Sequence, residues 1–154
     1  NPAFIPYLLE CIKEYGVETS QIELEVTESM AMNAIDEVIE MLGKLKDKGF
    51  MIALDDFGTG FSSLSYLQKL PIDRIKIDRA FVTNLHVAEK HRTIAQTIVR
   101  LGQSLGLNLI AEGVEEQAQA DVLVGLGCLE AQGYYYGKPM DVASCTAWLE
   151  KHQS

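Results

Sequence analysis

Carboxylates recur in this chain where apolar runs stop. Asp55 and Asp56 follow Met-Ile-Ala-Leu, Glu28 follows Ile-Glu-Leu-Glu-Val-Thr, and Glu112 follows Leu-Ile-Ala. One amine, Lys76, shares the run Arg-Ile-Lys-Ile-Asp with Asp78, and one amide, Gln132, follows Leu-Glu-Ala. Oxygen donors gathered from several segments suit hard divalent cations such as Mg²⁺ or Mn²⁺. Without a cation, so many carboxylates would repel and raise one another's pKa values. The same residues also fit a plainer use as surface acids and helix caps. Lys76 has two uses open to it. It could pair with Asp55 or Asp78, or it could hold or deprotonate a water at a metal.

Asp55-Asp56 is the strongest local feature. Neighbours on a regular strand point to opposite faces, so both can serve one site only where the strand ends and the backbone turns. Gly58-Thr59-Gly60 permits such a turn. The loop continues through Phe61, Ser62 and Ser63 to Leu64. It either presents a helix N-terminus to a phosphate or is a plain turn capped by Ser62 or Ser63. It is not a Walker A loop, because Gly-Lys-Ser/Thr is absent. Further on, Gln132-Gly133-Tyr134-Tyr135-Tyr136-Gly137-Lys138-Pro139 places three aromatic rings near a strand end. Those rings could stack on a purine or pack in a core.

Short strands and helices must alternate to bring these groups together. Asn1 can cap a helix with Pro2 at its first position; Ile5, Leu8, Leu9 and Ile12 form its apolar stripe, and Gly16 ends it. Strands are predicted at 22–26, 50–54, 74–78, 107–111 and 128–132. Helices are predicted at 34–48, at a short segment ending near Leu70, and at 89–105, 117–126 and 143–151. Regular alternation implies parallel strands with helical crossovers, an α/β fold. In a β/α barrel the C-terminal strand ends share one edge, and that edge carries the active site.

The 154 residues suffice for one domain, and their formal charge of −9 argues against binding a nucleic acid polymer. Cys11, Cys128 and Cys145 are odd in number and widely spaced, which suggests small buried hydrophobes in a reducing, cytoplasmic compartment. His86, His91 and His152 lie in polar surroundings and read as surface residues. No apolar run is long enough to span a membrane, and no stretch reads as a signal peptide. With no initiator Met before Asn1, the chain is expected to begin partway through a larger protein.

Read together, these segments resemble the EAL phosphodiesterases. Leu24-Glu25-Val26-Thr27-Glu28-Ser29 looks like that family's strand ending in a metal-binding Glu, and the run from Asp55 to Leu64 matches its Asp-Asp-Phe-Gly-Thr-Gly loop. Leu70-Pro71-Ile72-Asp73, Ile75-Lys76-Ile77-Asp78, Ala111-Glu112-Gly113-Val114-Glu115 and Gln132-Gly133-Tyr134 follow in the family's order. The resemblance implies a TIM-type barrel that hydrolyses cyclic di-GMP to linear pGpG with two Mg²⁺ or Mn²⁺ ions. It implies Glu28, Asp55, Asp56 and Glu112 as metal ligands, with Asp55 shared between the ions. Lys76 would position or activate the attacking water, and Glu115 and Gln132 would support the site. Gly58, Thr59, Gly60, Phe61, Ser62 and Asp78 would form or brace the loop, and Pro139 would line a guanine pocket. A homodimer helped by Phe81 and Val82, and an upstream sensory or GGDEF domain, are implied as partners.

The family's Glu-Ala-Leu signature, the Arg after it and an Asn ligand from the next strand have no counterpart here. About five strands are expected, where a closed barrel needs eight. Residues 1–154 are therefore expected to be the C-terminal portion of one such domain, an incomplete barrel lacking the N-terminal strands, with weak or no turnover alone. A non-catalytic cyclic di-GMP receptor or protein-interaction domain is the alternative. An unrelated barrel enzyme that stabilises an enolate on a metal is a more distant one.

Overall fold

The computed structural model describes residues 3–33, 35–58 and 64–152. Among them, strands β1 (Glu23–Thr27), β2 (Met51–Phe57), β3 (Arg74–Ile77), β4 (Asn108–Ala111) and β5 (Glu130–Ala131) pair in parallel in chain order. The sheet is open, and each step from one strand to the next carries helix, as in the successive units of a β/α barrel. The helices are α1 (Phe4–Tyr15), α2 (Glu28–Asn33), α3 (Ile35–Lys46), α4 (Leu64–Leu67), α5 (Arg79–Val82), α6 (Glu89–Leu105), α7 (Gln117–Leu126) and α8 (Val142–His152). A 3₁₀ turn, Thr19–Gln21, precedes β1.

Strand alternation gives the sheet two unlike sides. Residues in parallel register point the same way, and Val26, Leu54, Ile75 and Leu109 stand in one such row. That side also carries Ile52, Ile77 and Ala111. It is buried against Leu42, Leu45, Val82, Leu85, Ala95, Ile98, Val99 and Leu123 from the helical layer and its connections. Each large side chain so buried contributes about 1.5–3 kcal/mol, so this layer supplies the main drive to fold. The other side is ionic. Glu23, Glu25, Asp55, Arg74, Lys76 and Glu130 stand on it, and Arg74 spans the sheet to Glu23 (3.2 Å) and Glu130 (2.8 Å).

Several expectations need correction. The helix expected at 34–48 is α3, which ends at Lys46, and it is preceded by α2, which begins at Glu28. The second strand runs past Leu54 to Phe57 through an irregularity in its pairing with β3. Of the cysteines only Cys128 is buried; Cys11 is half-buried and Cys145 exposed. His86 and His91 are half-buried, whereas His152 is exposed and stacks on Trp148. Val82 is fully buried and Phe81 partly so, which removes Val82 from any dimer surface. Asn1, Pro2, Thr59, Gly60, Phe61, Ser62 and Ser63 lie outside the described residues. Among the described residues, no helix is long and apolar enough to cross a membrane.

Candidate active site

The C-terminal ends of β1, β2, β3 and β4 carry the candidate groups. Glu28 follows β1 as the first residue of α2. It is only 2% exposed, and its Oε2 accepts the backbone N–H of Gly58 at 2.9 Å. That bond ties the end of β1 to the turn after β2. Gly58 has φ +97°, and a Cβ there would meet the Phe81 ring at 2.9 Å. Backbone geometry and close packing both favour glycine at this point.

Asp55 completes the register opposite Thr27. Asp56 then adopts φ 55°, the one positive value at a non-glycine residue among those described. Acidic residues tolerate this left-handed conformation better than branched ones do. The kink falls within the pairing irregularity between Leu54 and Phe57 and breaks the strict alternation of the two neighbouring acids. The N–H of Asp56 donates to Asp55 Oδ1 at 3.0 Å. Burial, reinforced by the Asp55 and Asp78 carboxyls, pushes the Asp56 carboxyl above the usual range, and Lys76 only partly offsets this.

Lys76 lies at the centre and is 5% exposed. Its Nζ is 2.6 Å from Glu25, 2.6 Å from Glu112 and 3.3 Å from Asp55. Burial opposes the charged ammonium. Glu112, Glu25 and Asp55 outweigh that effect and raise its pKa above the ordinary lysine value. Of the uses the sequence leaves open, the pairing with Asp55 is present, and two closer partners join it. Asp78 sits just beyond β3, caps α5 by accepting the Ala80 N–H at 2.8 Å, and lies close enough to Asp56 to help raise its pKa.

Gln132 donates to Glu112 at 2.8 Å and so holds the carboxylate that grips Lys76. Glu115 stands further along the same loop and pairs with Arg79 at 2.7 Å. Pro139 lines a cleft of about 540 Å³ together with Glu112, Glu115, Gln132, Tyr134 and Lys138. Tyr134, Tyr135 and Tyr136 are each more than 40% exposed among the described residues. Gly133 fits against the neighbouring loop so closely that a Cβ would lie 2.1 Å from the Val114 carbonyl oxygen. An apolar groove of about 570 Å³ runs along β1 between α1 and α3, and Glu25 is its one charged lining residue.

Sequence reasoning missed Glu25. The alternation Glu23-Leu24-Glu25-Val26 carried the signal, since it puts Glu25 on the opposite side from the core. Only the strand register shows that Lys76 is within its reach.

The donor set of Glu28, Asp55, Asp56 and Glu112 is all oxygen, which fits a hard divalent cation. Among the described residues, no three carboxylate, imidazole or thiol groups are grouped so as to hold a metal. In this arrangement the Lys76 ammonium supplies the positive charge between the acids.

Known proteins give a consistent picture. The EAL domain family profile matches residues 1–139. The bifunctional diguanylate cyclase/cyclic di-GMP phosphodiesterase MucR of Pseudomonas aeruginosa is 45% identical over 126 residues, which is 82% of this chain and 18% of that protein. The solved PaMucR phosphodiesterase in complex with c-di-GMP superposes with a TM-score of 0.89 at 40% identity, over 93% of this chain and 58% of that one. Klebsiella pneumoniae BlrP1, solved with manganese and cyclic di-GMP, gives a TM-score of 0.83 at 31% identity over 90% of this chain and 36% of that one. The chain spans 17% to 22% of the length of the curated relatives it matches. The profile match runs through every strand of the sheet, and this chain belongs to the EAL domain family.

Proposed function

We propose that this chain is part of a metal-dependent phosphodiesterase domain that hydrolyses cyclic di-GMP to linear pGpG in the cytoplasm. The observation that carries the reading is the Lys76 ammonium held among Glu25, Asp55 and Glu112, with Asp56 near enough to feel its charge. Relatives described as cyclic di-GMP phosphodiesterases, and solved relatives holding the dinucleotide, support it.

Glu28, Asp55, Asp56 and Glu112 would hold two Mg²⁺ or Mn²⁺ ions. When bound, such ions supply the charge that lets an anionic phosphodiester approach an acidic site, and they polarise the bond to be broken. The remaining roles fall to the protein. Lys76, within reach of Glu25, Glu112 and Asp55, would orient or activate the attacking water. Glu25, half-exposed, is the partner that a water or phosphate oxygen can displace from the ammonium. Gln132 keeps Glu112 aimed at the site. Pro139 and the Tyr134 ring give guanine an apolar surface in the cleft, with Lys138 beside it for the phosphate. Arg79 and Glu115 brace the loop between Glu112 and α7.

The test is to incubate the full natural protein with cyclic di-GMP and Mn²⁺ or Mg²⁺ and to separate the products by chromatography. Formation of pGpG that stops on addition of a chelator is expected. Tight binding of cyclic di-GMP without turnover would replace the enzyme reading with a receptor.

A further inference from the structure

Gln119 lies in the first turn of α7 and is only 3% exposed. Its Oε1 accepts the backbone N–H of Glu115 at 2.8 Å and that of Glu116 at 3.1 Å. Its Nε2 donates to the Thr83 carbonyl at 3.0 Å, at the far end of α5. Helix capping explains the two accepted bonds, because a residue three places into a helix commonly reaches back to the cap. A glutamate could do that equally well. The donated bond is surplus to capping, and an ionised glutamate cannot make it.

The bond joins two segments that both touch the site. Residues 112–116 begin with Glu112, which grips Lys76, and Glu115 of the same loop pairs with Arg79 on α5. The Arg79 stem also lies over Gly113, where a Cβ would come within 2.4 Å of Arg79 Cγ. At its other end α5 is capped by Asp78, whose carboxyl is near enough to Asp56 to raise its pKa. So α5 stands between the acid pair of β2 and the loop carrying Glu112, and Gln119 closes the connection between that loop and α5.

We propose that Gln119 is a positioning residue. Its amide fixes the 112–116 loop to the end of α5, and so sets where Glu112 stands relative to Lys76 and Asp56. The effect on turnover rests on the phosphodiesterase reading; the effect on loop position does not.

The discriminating variant is Gln119→Glu, which keeps both accepted bonds and loses the donated one. Gln21→Glu is the control, because Gln21 caps an exposed turn in the same way and is far from α5 in the chain. Both variants are made in the full natural protein. For Gln119→Glu we expect backbone amide exchange at Glu115 and Glu116 to stay slow. Mn²⁺ affinity and kcat should each fall about ten- to a hundredfold, as when groups that orient ligands are lost, with KM changed by less than about twofold. Gln21→Glu should match the parent in all four measurements. Gln119→Glu with parental Mn²⁺ affinity and kcat overturns the proposal, as does a loss no greater than its loss of folded fraction.

If Gln119→Glu fails to fold, the parent still decides. The Gln119 side-chain amide protons should exchange slowly by NMR, and exchange at the rate of an exposed glutamine overturns the proposal. A parent that binds Mn²⁺ but leaves cyclic di-GMP intact refutes the enzyme reading, while the Mn²⁺ shift in Gln119→Glu still reports on the clamp.

Discussion

Glu28 Oε2 stands 2.9 Å from the backbone N–H of Gly58, so a carboxylate at the end of one strand holds the turn that ends the next. Charge and hydrogen bonding can be separated there. Glu28→Gln keeps an acceptor for Gly58 and should unfold at the parental temperature, but Mn²⁺ affinity measured by calorimetry should fall at least ~10-fold. Glu28→Ala should lose that affinity and also about 1–3 kcal/mol of stability by denaturant titration, because the partly buried Gly58 N–H loses this acceptor.

Lys76 and Glu25 should behave unequally although they are partners. Lys76→Met removes the site's one central cation, and turnover should fall about 10²- to 10⁴-fold. Glu25→Gln leaves Asp55 and Glu112 in place on the ammonium. The Glu25 carboxylate is 48% exposed, so water can take its place on the ammonium, and kcat should change by less than about tenfold. Steady-state kinetics on the two variants measures the contrast. Equal losses would show that the ammonium needs Glu25 to stay in place.

Asp56 predicts a pH dependence of defined sign. Its folded carboxyl binds a proton more tightly than an unfolded one does, chiefly through burial and then through Asp55 and Asp78. Ionised Asp56 therefore opposes folding, and stability falls as pH rises from the ordinary carboxylate value through the raised one. Asp56→Asn removes that liability and keeps a side chain that tolerates φ 55°. In chelator, the variant's stability relative to the parent should increase between pH 3 and pH 7. An unchanged difference in denaturant titrations across that range would refute this. Asp56→Val should follow the same pH trend but lie about 1–2 kcal/mol below Asp56→Asn at every pH, because a branched residue is strained in this backbone region.

The thiols should react in an order set by burial. Cys128 is packed between β4 and β5, and burial pushes its thiol up to about 11. Roughly a thousandth of it is thiolate at pH 8. Cys145 is exposed and lines the cleft beside Pro139. Brief alkylation at pH 8 followed by mass spectrometry should label Cys145 first and Cys128 only after unfolding. Early labelling of Cys128 would show that the β4–β5 edge opens in the native protein.

Asp55, Lys76 and Glu112 were legible in the sequence because apolar runs mark strands, and parallel strands bring their ends to one edge. Glu25 was not, since alternation gives a side of the sheet but not the register that brings a residue opposite a lysine. The short helices α2 and α5 escaped because one or two turns hold too little periodicity to read. The continuation of β2 through Asp56 to Phe57 escaped because the backbone kink that allows it comes from tertiary packing. Gln119 looked like any polar residue on a helix. Its burial arises only when α5 folds over it, and α5 itself carried no sequence signal.

Arg74, with Glu23 and Glu130, lies on the side of the sheet away from the oily residues that make the chain collapse. Scaffold and chemistry are thus drawn from alternate letters of the same strands. The apolar layer that drives collapse therefore does not pass through the charged groups, and the two sides of the sheet can change independently in sequence.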